Sequence, residues 1–170
     1  MSCHLAKPTL EVITGWVETQ HDVRGLALAG SYARNAPRPD SDLDLVILAE
    51  NPARFRDGGW PATIEWSRAG VQLARWVDEE YGIVWSRRIW LEPQYELEIA
   101  FAPLSWAGVS PVDRGTERVV SDGFRVLYDP DRLLESLAAA VLGRLDTGQN
   151  STRAAAALAL GTNFRRFHSS

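Results

Sequence analysis

Gly30-Ser31 and, about ten residues on, Asp42-Leu43-Asp44 combine two features that phosphate chemistry can use. The apolar run from residue 23 to 30 reads as a strand ending in Gly-Ser, turning into a brief helix over residues 31 to 36. That turn leaves backbone N–H groups to meet an anion. Glycine lets the anion approach the backbone closely, and the Ser31 hydroxyl adds one donor. On a strand, residues i and i+2 share a face, so Asp42 and Asp44 converge on one point. Two carboxylates that close, flanked by Leu43, Leu45, Val46 and Ile47, are costly unless a cation lies between them. Magnesium takes oxygen ligands and commonly uses one or two carboxylates plus substrate phosphates. Arg34 and Arg38 lie in the intervening loop, where a guanidinium fork could reach a phosphate or simply be solvated.

This pattern resembles the nucleotidyltransferase superfamily typified by DNA polymerase beta: Gly-Ser, a gap, Asp-x-Asp, then a third acid on a later strand. Gly30-Ser-Tyr-Ala-Arg34 followed by Arg38-Pro-Asp-Ser-Asp-Leu-Asp-Leu45 is similar to small bacterial members, among them antibiotic-modifying enzymes and minimal antitoxins. Asn35 departs from the glycine frequent at its position. The resemblance implies a third acid within Tyr95-Glu96-Leu97-Glu98-Ile99, and Glu98, between Leu97 and Ile99, is favoured over Glu96. It further implies two magnesium ions on Asp42, Asp44 and Glu98, with Glu98 as general base. A nucleoside triphosphate, ATP first, would donate the monophosphate, with Gly30, Ser31, Arg34 and Arg38 around its phosphates. The likeness is softer over residues 95–107, and a further stretch of it over 115–130 carries no chemical role.

The surrounding elements must position these groups. Residues 8 to 20 predict a helix, with Pro8 in its first turn and Leu10, Ile13 and Val17 at helical spacing. Leu43 to Leu48 is a strand apolar enough to be buried on both faces, and Ala36 to Ser41, with two prolines, is loop. A short helix from Pro52 would end at Gly58-Gly59. Trp66, Ala69, Leu73 and Trp76 predict a helix over residues 65 to 79. Residues 82–91 and 95–101 form a hairpin about Glu92-Pro93-Gln94, which sets Arg87 and Arg88 on opposite faces. Residues 119 to 128 hold a short helix or strand. Asp129 caps and Pro130 opens a helix to about residue 145, with Leu133, Leu134, Leu137 and Val141 on one face. The resulting fold class is α/β: a nucleotidyltransferase fold with a mixed sheet flanked by helices. A single domain is expected over residues 1–145, then a linker and tail over 146–170, helical at 154–160.

The bulk numbers narrow the partners. A net charge of -4 and a pI of about 5.4 give no electrostatic footprint for nucleic acid. No apolar run reaches the ~20 residues of a membrane span, and the start lacks a signal-peptide pattern. The single cysteine, Cys3, beside His4 in an expected unstructured start, excludes an internal disulfide framework and fits a reducing cytoplasm. Six of the seven tryptophans fall between Trp60 and Trp106, so large rings should pack there. The resemblance to antibiotic-modifying enzymes implies a small hydroxylated molecule as acceptor, with a homodimer to supply any missing wall. The alternatives are a partner protein as acceptor, as for the antitoxins, or an inactive nucleotide-binding module.

Overall fold

A computed structural model of the chain describes residues 3–93, 95–144 and 146; the helix expected at 154–160 lies outside them. The apolar runs on either side of the acidic motif form the middle of a sheet. β1 (Val23–Ala29) and β2 (Leu43–Ala49) pair antiparallel and are almost wholly buried, as runs without polar alternation must be when both faces are covered. With β3 (Gln72–Tyr81), β4 (Val84–Glu92), β5 (Tyr95–Pro103) and β6 (Phe124–Tyr128) they make one six-stranded sheet, ordered β3-β4-β5-β2-β1-β6. β2 and β5 run parallel, and every other neighbouring pair is antiparallel. The mixed sheet with flanking helices in a single domain is the architecture expected from the sequence.

One face of the sheet carries Leu43, Leu45, Ile47, Leu97, Ile99 and Phe101, and α1 (Cys3–Glu18) adds Leu10, Ile13 and Val17 to the same buried cluster. Aromatic rings close this side, as the run of tryptophans predicts. Phe101 stacks on Phe55 at 4.7 Å and on Trp85 at 4.6 Å, and Trp16 stacks on Trp60 at 5.0 Å. The opposite face carries Ala27, Val46, Leu48 and Ala102. It is covered by Trp106, by Val120 of α3 (Arg114–Ser121), and by Leu134, Leu137 and Val141 of α4 (residues 133–144). Each large aliphatic side chain buried from α4 contributes about 1.5–3 kcal/mol. Asp44, Glu96 and Glu98 alternate onto this second face but are only half-buried. Among the described residues, no helix is long and apolar enough to cross a membrane.

Four expectations are corrected. Residues 65 to 79 are not a helix: Trp66–Ala69 is a single 3-10 turn, ended by Gly70 in the left-handed conformation at φ 73°, and β3 follows. Pairing with β4 overrides the helical spacing there, through a two-residue Gly82-Ile83 connection with φ 69° at Gly82. α1 already begins at Cys3, so His4 is helical and Pro8 lies inside the helix rather than at its first turn. α4 begins at residue 133 instead of Pro130: Arg132 takes φ 57°, and the Asp129 carboxylate accepts the Glu135 N–H at 2.8 Å. Residues 119 to 128, read as one element, divide into the end of α3 and β6, with Gly123 between them.

Candidate active site

Strand register lines up the candidate residues in one row across the sheet. Ala29 of β1 pairs with Asp44 of β2, Asp44 with Glu98 of β5, and Glu98 with Arg88 of β4. Directly paired positions on neighbouring strands lie about 5 Å apart, so Asp44 and Glu98 are side by side. Asp42 immediately precedes β2 and is half-buried, as is Asp44. Glu96 shares the face of Glu98 but stands opposite Trp90 rather than opposite an acid.

This crowding of acids shows in their proton affinities. Burial, then the neighbouring Glu98 and Asp42 carboxylates, push the Asp44 carboxyl up to about 6. Asp42 is also raised, by burial first and then by Glu96, against a partial offset from Arg88. Both aspartates therefore sit where a cation would be stabilised. Glu98 has its own partners: one oxygen accepts the Ser86 hydroxyl at 2.6 Å, the other the Arg88 guanidinium at 3.2 Å. Among the described residues, no three His, Cys, Asp or Glu side chains gather closely enough to hold a metal. Asp42 and Asp44, completed by substrate oxygens, nonetheless offer the donor set that magnesium takes.

Two cavities flank Asp42 and share Asp40, Ser41 and Asp42 in their walls. The first, of about 400 Å³, is lined by Gly30, Ser31, Arg34, Arg38 and Asp44 on the β1 side. The second, of about 360 Å³, is lined by Pro39, Trp90, Tyr95 and Glu96 on the β4–β5 side. A larger cavity of about 470 Å³, between α1 and the turn at Thr63–Glu65, contains none of these acids.

The Gly30 amide differs from its sequence reading: its N–H already donates to the Gly123 carbonyl at 3.0 Å. That leaves the Ser31 hydroxyl and the later N–H groups of the short helix α2 (Gly30–Ala33) as the donors an anion could meet here. What Gly30 supplies is room. Its φ is 68°, and a Cβ there would stand 2.9 Å from an Asp44 carboxylate oxygen. Gly30→Ala should therefore displace Asp44 and cost about 1–2 kcal/mol for the left-handed backbone, a fall in melting temperature of roughly 2–6 °C. Calorimetry with a metal titration checks this; an unchanged melting point together with unchanged metal affinity would contradict it.

Arg34 and Arg38 both line the first cavity but differ in their commitments. Arg34 is bound to Asp122, through its carboxylate at 2.8 Å and its carbonyl oxygen. Arg38 is exposed, and among the described residues it forms no ion pair. Arg87 and Arg88 do face opposite sides of β4: Arg88 enters the acid row, while Arg87 is buried in the aromatic face. Sequence reasoning missed Ser86 and the Asp122-Gly123 clamp. The sequence of residues 115–130 offers a likeness alone, and only the β1–β6 pairing brings the segment to the cleft.

The description of a nucleotidyltransferase domain matches residues 11–116, well over half of the chain. No curated protein matches the sequence. Among solved structures, the chain is similar to a nucleotidyltransferase-like protein from Exiguobacterium sibiricum, at 13% identity and a TM-score of 0.41. That similarity covers 81% of this chain but 38% of the other, so this chain spans well under half of that protein's length. By the match over residues 11–116, the chain belongs to the nucleotidyltransferase domain family.

Proposed function

We propose that this chain is a magnesium-dependent nucleotidyltransferase that moves a nucleoside monophosphate from a nucleoside triphosphate to the hydroxyl of a small acceptor in the cytoplasm. The observation that carries this reading is the in-register row Asp44–Glu98 beside the Gly30-Ser31 cleft, with Asp44 pushed up to about 6. A divalent cation bound on Asp42 and Asp44 would neutralise the triphosphate and stabilise the entering and leaving oxygens.

The chain's own residues divide the remaining work. Ser31 and Arg38 receive the departing pyrophosphate on the β1 side. In-line displacement requires the acceptor to enter from the other side of the carboxylates, where the Trp90–Glu96 cavity lies. Glu98, on that side of β2, takes the hydroxyl proton as the new oxygen–phosphorus bond forms and the bond to pyrophosphate breaks.

Calorimetric titration of ATP, GTP, CTP and UTP, with and without magnesium, tests the reading. Binding of at least one that requires magnesium is expected; no binding by any of them would rule it out. Arg38→Ala should weaken the bound nucleotide about tenfold, the loss of one charged hydrogen bond. Arg34→Ala should change it less, because Arg34 is already tied to Asp122 through one guanidinium nitrogen.

A further inference from the structure

Glu98 is not a free carboxylate. Its in-register neighbour on β4 is Arg88, whose guanidinium lies 3.2 Å from Glu98, 3.1 Å from Glu96 and 3.6 Å from Glu79. The other Glu98 oxygen accepts from Ser86, which is fully buried. Each Glu98 oxygen thus already accepts a hydrogen bond from the strand beside it, the Arg88 guanidinium offsets the carboxylate's charge, and three carboxylates hold Arg88 in place. On the other side of the row, Asp42 and Asp44 have a joint charge that one divalent ion balances.

We propose that Arg88 stands in the place of a second metal ion: Glu98 stays paired with Arg88 and Ser86, and the site takes one divalent cation, on Asp42 and Asp44. The inference rests on the nucleotidyltransferase reading above and departs from the two-ion arrangement that the family resemblance implies. In this arrangement the guanidinium supplies fixed positive charge beside the entering hydroxyl, where charge develops as its proton passes to Glu98. Being anchored, that charge need not be recruited from solution.

Counting Mn2+ by paramagnetic resonance, with a triphosphate blocked at its α,β-bridge, tests the proposal. The unsubstituted protein should bind about one ion per chain, and Arg88→Met, by releasing Glu98, about two. Adding Glu98→Gln to Arg88→Met should return the count to about one, because the new site uses that carboxylate. A gained ion cannot arise from misfolding; should Arg88→Met fail to fold, Arg88→Gln makes the same comparison. Two ions in the unsubstituted protein, or no gain on removing Arg88, would overturn the proposal while leaving the transferase reading intact. No Mn2+ bound to the unsubstituted protein would overturn both.

Discussion

Asp44→Asn should raise the melting temperature of the metal-free protein by about 4 °C near pH 7.5 while cutting nucleotidyl transfer by about a thousandfold. The two effects have one origin. Asp44 is pushed up to about 6 by burial, Glu98 and Asp42, whereas an unfolded aspartate titrates near ~3.9. The folded state therefore binds the proton more tightly than the unfolded one, and stability falls as pH rises from about 4 through about 6. Above that range the native protein carries the whole cost of a crowded anion. The shift corresponds to about 3 kcal/mol at most, and partial solvent exposure reduces it to about 1–2 kcal/mol. Asparagine removes the charge at nearly constant volume, so the gain should vanish near about pH 4, where the aspartate is already protonated. Magnesium should stabilise the unsubstituted protein and not the variant. Calorimetry in a chelator at both pH values, with a transfer assay in magnesium, separates the effects. A variant that melts no higher near neutral pH would contradict the electrostatic account; one that keeps its transfer rate would remove Asp44 from the mechanism.

The second large effect lies in the core. Arg87→Ala should lower the melting temperature by about 9 °C. Arg87 is 1% exposed, yet it is fully engaged: it donates to both Asp78 oxygens, at 2.6 and 2.8 Å, and to the carbonyls of Gly58 and Arg56, at 3.2 and 3.3 Å. The rings of Trp60, Trp85 and Trp76 stand 5.3 to 5.8 Å from its guanidinium. Truncation removes the donor to the Gly58 carbonyl, leaves the Arg56 carbonyl with the Gly58 N–H alone, and opens a void between the indoles. Losing one member of a buried pair costs about 3–5 kcal/mol, and the low end applies because Asp78 reaches solvent. Lysine should recover little, since an ammonium cannot fork onto a carboxylate. Because Arg87 faces away from the acid row, transfer assayed well below the melting point should persist. A drop of under about 2 °C would mean that the tryptophans, not the arginine, hold this corner.

What could be read from the sequence was whatever is encoded within a few residues. The Gly-Ser turn and the β4–β5 hairpin are local patterns that appear where their spacing put them, while of the i, i+2 aspartates Asp44 lies on β2 and Asp42 just before it. Trp66, Ala69, Leu73 and Trp76 follow helical spacing and so predict a helix, although the first two belong to a turn and the last two to β3. β3 is nearly all exposed, so it shows none of the alternation that marks a half-buried strand. Its conformation comes from pairing with β4. Register is equally hidden: nothing near Glu98 in the chain says that Asp44 stands on one side of it and Arg88 on the other. The Arg34–Asp122 clamp joins residues 88 positions apart and is invisible for the same reason.

The exposure of β3 also decides how the sheet ends. An outermost strand offers unpaired backbone groups to any other chain and is normally guarded. Here the guard is charge: Gln72–Tyr81 carries one arginine, Arg75, against Asp78, Glu79 and Glu80, a balance of minus two. A second copy laid along this edge would meet the same balance on its own strand. The acids that hold Arg56, Arg87 and Arg88 in place thus also keep the edge from recruiting its own kind. Neutralising them would turn a ten-residue strand into a template for aggregation.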